Sequence, residues 1–85
     1  MPTRAERDAQ TIVAALLDSC AKDGADVPTR LRFFRDHEQR KRALLDSMNR
    51  EMGKEPDAEA AAYARAVALE INRVLLELER PQAEA

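Results

Sequence analysis

The sequence predicts an all-α fold of three antiparallel helices. Apolar residues recur at intervals of three and four along most of the 85-residue chain, which is the spacing of one face of an α-helix. β-branched residues are sparse and nowhere alternate with polar ones, so no strand pattern competes. Short connections at Gly24 and Gly53 separate the helical segments, and helices joined by short turns pack antiparallel. We therefore expect a single helical domain over residues 1–85, arranged as a small bundle or as a hairpin plus an N-terminal helix.

Helix 1 is predicted over residues 3–23. Thr3 and Glu6 have the spacing of a capping box, in which each side chain binds the backbone N–H of the other residue. Gly24 follows the helix where a left-handed residue is expected. One broad apolar face runs along the helix: Ala5, Ala9, Ile12, Val13, Leu16, Leu17 and Cys20. The pattern places Cys20 in the core as an inert thiol.

Helix 2 is predicted from about Thr29 to Met52, after a turn at residues 26–29. Its apolar stripe is expected to face the core: Phe33, Phe34, Leu44, Leu45, Met48 and Met52. Phe33 and Phe34 point about 100° apart, so the alternative for Phe33 is an exposed anchor for a partner. The helical wheel puts His37 and Lys41 in the middle of that stripe. A polar interruption of a core indicates either a site for a partner or a structural pair with the Lys41 ammonium in water. A break of the helix near Asp36 is the alternative.

Helix 3, predicted over residues 57–80, is apolar on two sides. The main stripe is expected to hold the fold: Ala60, Ala64, Val67, Ile71, Val74, Leu75 and Leu78. Ala62, Leu69 and Leu76 lie roughly opposite it, seven residues apart. A surface helix needs one apolar face, so the second line predicts contact with another chain. Pro81 is expected to end the helix, and residues 82–85 to form a tail.

The composition narrows the range of functions. Cys20 and His37, one cysteine and one histidine, cannot complete a zinc site or an internal disulfide framework within one chain. Much of the apolar content is alanine, which leaves few large side chains for a core; association with a second copy or a partner is the remaining source of stability. The free thiol, the absence of an apolar run long enough to span a membrane and the absence of a signal peptide predict a cytoplasmic protein. The sequence indicates no membrane contact, cofactor, metal or small-molecule substrate.

Charge is unevenly distributed, although the net charge is −2. Basic residues outnumber acidic ones in residues 28–54, and the reverse holds in residues 55–85. The basic cluster could bind phosphates: Arg32, Arg35, Arg40, Lys41 and Arg42. However, three ion pairs at four-residue spacing would neutralise much of it on the helix surface: Asp36–Arg40, Glu38–Arg42 and Asp46–Arg50.

The favoured function is therefore that of a small non-enzymatic adaptor or regulator acting through protein–protein contacts. The residues expected to contact a partner or a second copy are Ala62, Leu69, Leu76, Phe33, His37 and Lys41. The alternative is a nucleic-acid-binding regulator that uses the basic residues of helix 2. No glycine-rich phosphate loop or catalytic motif supports an enzyme.

Overall fold

The computed structural model describes residues 1–80, which form three α-helices: α1 (Arg4–Asp23), α2 (Val27–Glu51) and α3 (Ala58–Glu79). The predicted all-α class is confirmed for this part of the chain. The predicted end of helix 3 at Pro81 and the tail lie outside the described residues. α2 begins two residues earlier than expected because Asp26 is its N-cap: the Asp26 carboxylate accepts from the Thr29 backbone N–H at 3.0 Å.

The ends of α1 follow the predicted local chemistry. The Thr3 backbone N–H donates to the Glu6 carboxylate at 2.9 Å, and the Glu6 N–H donates to the Thr3 hydroxyl at 3.1 Å, which completes the capping box. Gly24 ends the helix with φ at 68°, a left-handed conformation that a residue with a Cβ adopts only at a cost. The same type of residue, Gly53 with φ at 69°, follows α2.

α3 is the central helix, because it packs against both α1 and α2 while those two touch each other least. α2 is antiparallel to α3: Arg32 near its start forms an ion pair with Glu79, and further along Arg42 Nη1 donates to the Asp57 carbonyl at 3.2 Å. α1 runs parallel to α3, since Thr3 lies beside the first turn of α3. The helices therefore run up, down and up, as predicted.

The core is built mainly from α3. Its buried residues include Val67, Ile71, Val74 and Leu75 from the predicted stripe, whereas Leu78 is about half exposed. α1 contributes Ala9, Val13 and the buried Cys20, with its other predicted apolar residues packed partly around them. α2 contributes Leu31, which is fully buried, and the half-buried Val27 and Phe34. Leu31 was missing from the predicted core.

The predicted core stripe of α2 is mostly wrong. Phe34 packs against the core, but the other members are exposed: Phe33, Leu44, Leu45, Met48 and Met52. The contact between Arg42 and Asp57 explains the difference, because α3 begins at that level. Residues 43–51 of α2 therefore extend past the start of α3 and lie alongside the connection 52–57.

His37 and Lys41 are both exposed, so the prediction that they interrupt the core is wrong. They lie on the same side of α2 as Leu44 and Met48, but that side faces solvent. α2 is continuous from Val27 to Glu51, which excludes a break near Asp36.

The predicted ion pairs of α2 are replaced by others. Asp36–Arg40, Glu38–Arg42 and Asp46–Arg50 do not form within residues 1–80. Instead, Arg42 Nε binds the Asp46 carboxylate at 3.0 Å, and Arg35 Nε lies 3.3 Å from Asp36. From the position in which it binds Asp46, the Arg42 side chain also donates to the Asp57 carbonyl just before α3.

Acid is expected to weaken the first turns of α1 and α2. The Thr3 backbone N–H and hydroxyl lower the pKa of the Glu6 carboxyl below its ordinary 4.5, and the Thr29 hydroxyl and N–H lower the pKa of Asp26 below 3.8. Because the folded pKa is the lower one, this stabilisation is present above the unfolded pKa and is lost as pH falls through the folded pKa. The free energy of unfolding should therefore fall below about pH 4.5.

The matched variant is Glu6→Gln with Asp26→Asn, which removes both titrations and keeps side chains that can cap a helix. Its urea midpoint, measured from pH 6 to pH 2.5, should depend less on pH than that of the original chain. Parallel curves for the two proteins would contradict the role given to these two carboxylates.

Candidate interaction surfaces

Two exposed apolar surfaces stand out among the described residues. We call Ala62, Leu69 and Leu76 the α3 surface. We call the exposed side of α2 the α2 surface, formed by Phe33, His37, Lys41, Leu44, Leu45, Met48 and Met52. Every residue predicted from the sequence to contact a partner belongs to one of these surfaces and is exposed. The structure thus divides the predicted set between two helices.

The α3 surface is a narrow line on the outer side of the central helix. Leu69 and Leu76 are 62% and 70% exposed, while Val67 and Val74, two residues before each, are buried. Leu69 also borders a shallow cleft whose other wall is formed by Glu6 and Gln10 of α1. The line is short, but both of its leucines are more than half exposed.

Charged side chains border the α3 surface and are bound to one another. Arg73 Nη2 lies 2.7 Å from one Glu70 oxygen, and Arg73 Nη1 lies 2.9 Å from Glu77. The hydrogen bonds from Arg73 lower the pKa of Glu70, and the same contacts raise the pKa of Arg73. These charges satisfy each other along the edge of the surface, so the leucines are its main available contacts.

The α2 surface is longer and mixes apolar with basic groups. At 100° per residue, Phe33, His37, Lys41, Leu44 and Met48 fall within an arc of about 80° on the helix. Phe33 is 64% exposed, and its ring stacks on the ring of His37 with centroids 6.4 Å apart and an interplanar angle of 12°. Lys41 follows one turn later, and the Leu and Met side chains occupy the far end.

The second half of α2 carries large apolar side chains that are exposed. The bundle-facing line begins with Leu31 and Phe34 and continues with Glu38 and Arg42, both half-buried. Asp46 and Asn49 extend this polar line beyond the start of α3. Leu44 is 62% exposed on the other side. Leu45 and Met52 lie on the same line of the helix as the bundle-facing Val27 and Phe34, but they come after the level at which α3 starts and are exposed.

The charge available at the α2 surface is positive along its middle. Arg40 and Lys41 are exposed and form no ion pair within residues 1–80, and Arg50 and Lys54 near the tip likewise form none. Glu51 is the acidic residue closest in sequence to the methionines.

The residues predicted for nucleic-acid binding do not form one available cluster. Arg32 pairs with Glu79, Arg35 Nη1 donates to the Asn72 amide oxygen at 2.7 Å, and Arg42 is bound to Asp46. Arg40 and Lys41 are left from the predicted set. Three of the five cations are therefore used to hold α2 against α3 or along its own surface.

No cluster of three potential metal ligands occurs among residues 1–80, and Cys20 is a buried free thiol. Tyr63 is half-buried beside α1, and burial, with smaller contributions from Glu38 and Asp8, raises the pKa of its hydroxyl. No helix in this part of the chain combines the length and the apolar character needed to cross a membrane.

Comparison of the chain with models of protein families, with curated proteins and with solved structures finds no match. The α2 surface and the α3 surface are therefore the features of this chain that bear on its function.

Proposed function

We propose that this chain is a small non-enzymatic helical protein, an adaptor or regulator, that acts through protein–protein contacts in the cytoplasm. The observation that carries the proposal is the exposed apolar second half of α2, where Leu44, Leu45, Met48 and Met52 are each between 42% and 62% exposed. An exposed Leu–Met surface lowers the solubility of the chain and does not stabilise its fold. Exposed apolar patches of this kind are typical of sites that contact another protein. The α3 surface supplies a second region for such a contact.

The size of the α2 surface supports this function. Leu44, Leu45, Met48 and Met52 together expose apolar area on the order of 400 Å², within the range of about 300–600 Å² in which the largest patch of a monomer is often functional. Flexible methionine side chains are also common on surfaces that adapt to a partner.

The experiment is affinity purification of the tagged chain from source-cell extract, with and without nuclease, read by mass spectrometry. Two surface variants accompany the original chain: Leu44→Glu with Met48→Glu, and Leu69→Glu with Leu76→Glu. We expect a stoichiometric protein partner that resists nuclease and is lost with at least one variant. A monomeric chain recovered alone would contradict the proposal, and recovery that depends on nucleic acid would favour the phosphate-binding alternative. Self-association is detected in the same samples by light scattering.

A further inference from the structure

We propose that the α2 surface binds an amphipathic helix of another protein that carries two carboxylates between apolar residues. The inference rests on the proposed function and specifies the partner of one of its two surfaces. The apolar groups lie at the two ends of the α2 surface, Phe33 at one and Leu44 to Met52 at the other. His37 and Lys41 lie between them, one helical turn apart. A partner that matches this order has apolar, acidic and apolar segments in turn.

The geometry sets the length and spacing of the partner. Phe33 and Met52 are separated by about 28 Å along the axis of α2, at 1.5 Å per residue, so about 19 residues of a second helix cover the surface. His37 and Lys41 point to one side of α2, so Asp or Glu residues four apart on the partner face both. The stack of His37 on Phe33 restricts both rings and reduces the side-chain entropy lost when they are covered.

The positive charge of the α2 surface favours this partner over a second copy of the chain. If two α2 surfaces overlapped along their full length in antiparallel order, the two Lys41 residues would lie within about 5 Å along the axis. The cationic middle segments would then repel each other with no acid between them. Sliding the copies until only residues 44–52 overlap avoids the repulsion but covers about half of the surface, well below the ~800 Å² per partner of a stable interface.

The order of residues also favours a helix over a lipid surface or a phosphate backbone. Helices that lie on membranes keep their basic residues on the polar face, whereas Lys41 lies within the same arc as Leu44 and Met48. Phosphate binding uses clustered cations, but three arginines of α2 are already held by Glu79, Asn72 and Asp46. A carboxylate-bearing helix satisfies both the apolar ends and the cationic middle.

The test is selection from a displayed library of 20-residue helices against the full chain. The apolar positions vary among apolar residues, and two central positions four apart vary among all residues. We expect the recovered helices to carry Asp or Glu at both central positions. Their affinity should fall at least tenfold for Leu44→Ser with Met48→Ser and for Lys41→Glu. A selected helix with Lys in place of the acid facing Lys41 should regain affinity for Lys41→Glu, because the exchanged charges pair again.

Leu69→Ser with Leu76→Ser is the matched control, since it removes two exposed apolar side chains from the other surface and should leave binding unchanged. Circular dichroism confirms that each variant is folded. Recovered helices without acidic preference, or insensitive to Lys41→Glu, would overturn the proposal. The surface would instead belong to lipid or nucleic acid if no helix were recovered and the original chain bound phosphatidylserine vesicles or duplex DNA, with that binding lost in the same α2 variants. A cellular partner held by the α3 surface alone would overturn this inference and leave the proposed function standing.

Discussion

Leu31→Ala is expected to lower the free energy of unfolding by about 2–5 kcal/mol, the range for removing a large aliphatic side chain from a packed core. Leu31 is fully buried, whereas Leu44 on the same helix is 62% exposed. Leu44→Ala is the same chemical change, and it should alter stability by less than about 0.5 kcal/mol, as ordinary surface substitutions do. For a domain with about 5–15 kcal/mol of total stability, the first change removes a large fraction and the second almost none.

The measurement is urea unfolding followed by circular dichroism, at protein concentrations low enough to keep the chain monomeric. The contrast between the two leucines tests where α2 meets the bundle. Equal losses for both substitutions would show that the second half of α2 is also packed, either against its own chain or against a second copy that persists on dilution.

The local ends of the helices could be predicted because their causes lie within a few residues. The Thr3–Glu6 capping box and the left-handed Gly24 need no information about the rest of the chain. The core stripe of α3 was predictable for a related reason. Val67, Ile71 and Val74 form one line on the helix that packs against both of the others, and all three are buried.

The burial of the α2 stripe was harder to predict, because periodicity shows that an apolar line exists on a helix but not whether a neighbouring helix covers it. Whether the stripe is covered depends on how far along α2 the first turn of α3 lies. The path of the connection 52–57 sets that position. The missed core residue had a sequence signal, however. Val27, Leu31 and Phe34 have the spacing i, i+4 and i+7 of a buried face. If the helix starts at Thr29, Val27 lies in the turn, and Leu31 then has only Arg30 and Arg32 beside it and no apolar residue one turn earlier.

Five of the six residues predicted to contact a partner, all except Phe33, were identified by two different arguments. Leu69 and Leu76 were identified by a second apolar line on one helix, and the structure exposes both. His37 and Lys41 were identified as an interruption of a core, but the stripe they interrupt faces solvent. The role of these residues in contacting a partner remains a prediction. For His37 and Lys41 the reason is now their exposure beside apolar residues of α2, since they do not interrupt a core.

Val67→Glu with Val74→Glu is expected to leave the chain largely unfolded at 25 °C. Both valines are buried, and each carboxylate moved out of water without a partner costs several kcal/mol, so two of them approach or exceed the whole stability of a small domain. The matched variant, Leu69→Glu with Leu76→Glu, has the same spacing on the same helix but lies on the exposed side. Far-UV circular dichroism and urea unfolding should therefore report a nearly complete loss of helicity for the first variant and a near-native curve for the second.

The local charges strengthen this contrast. A Glu at position 69 or 76 lies three or four residues from Arg65, Arg73 or Arg80, a spacing at which opposite charges on a helix attract by roughly 0.2–0.5 kcal/mol. The exposed double variant should thus stay folded while losing any partner that needs the α3 surface. Unfolding of that variant would mean that Leu69 and Leu76 are covered within the chain, and the α3 surface would then be a structural contact and no longer a candidate for binding. Because both variants place two glutamates seven residues apart on α3, one pair on the buried side and the other on the exposed side, the comparison separates a line that holds the fold from a line left free for a partner.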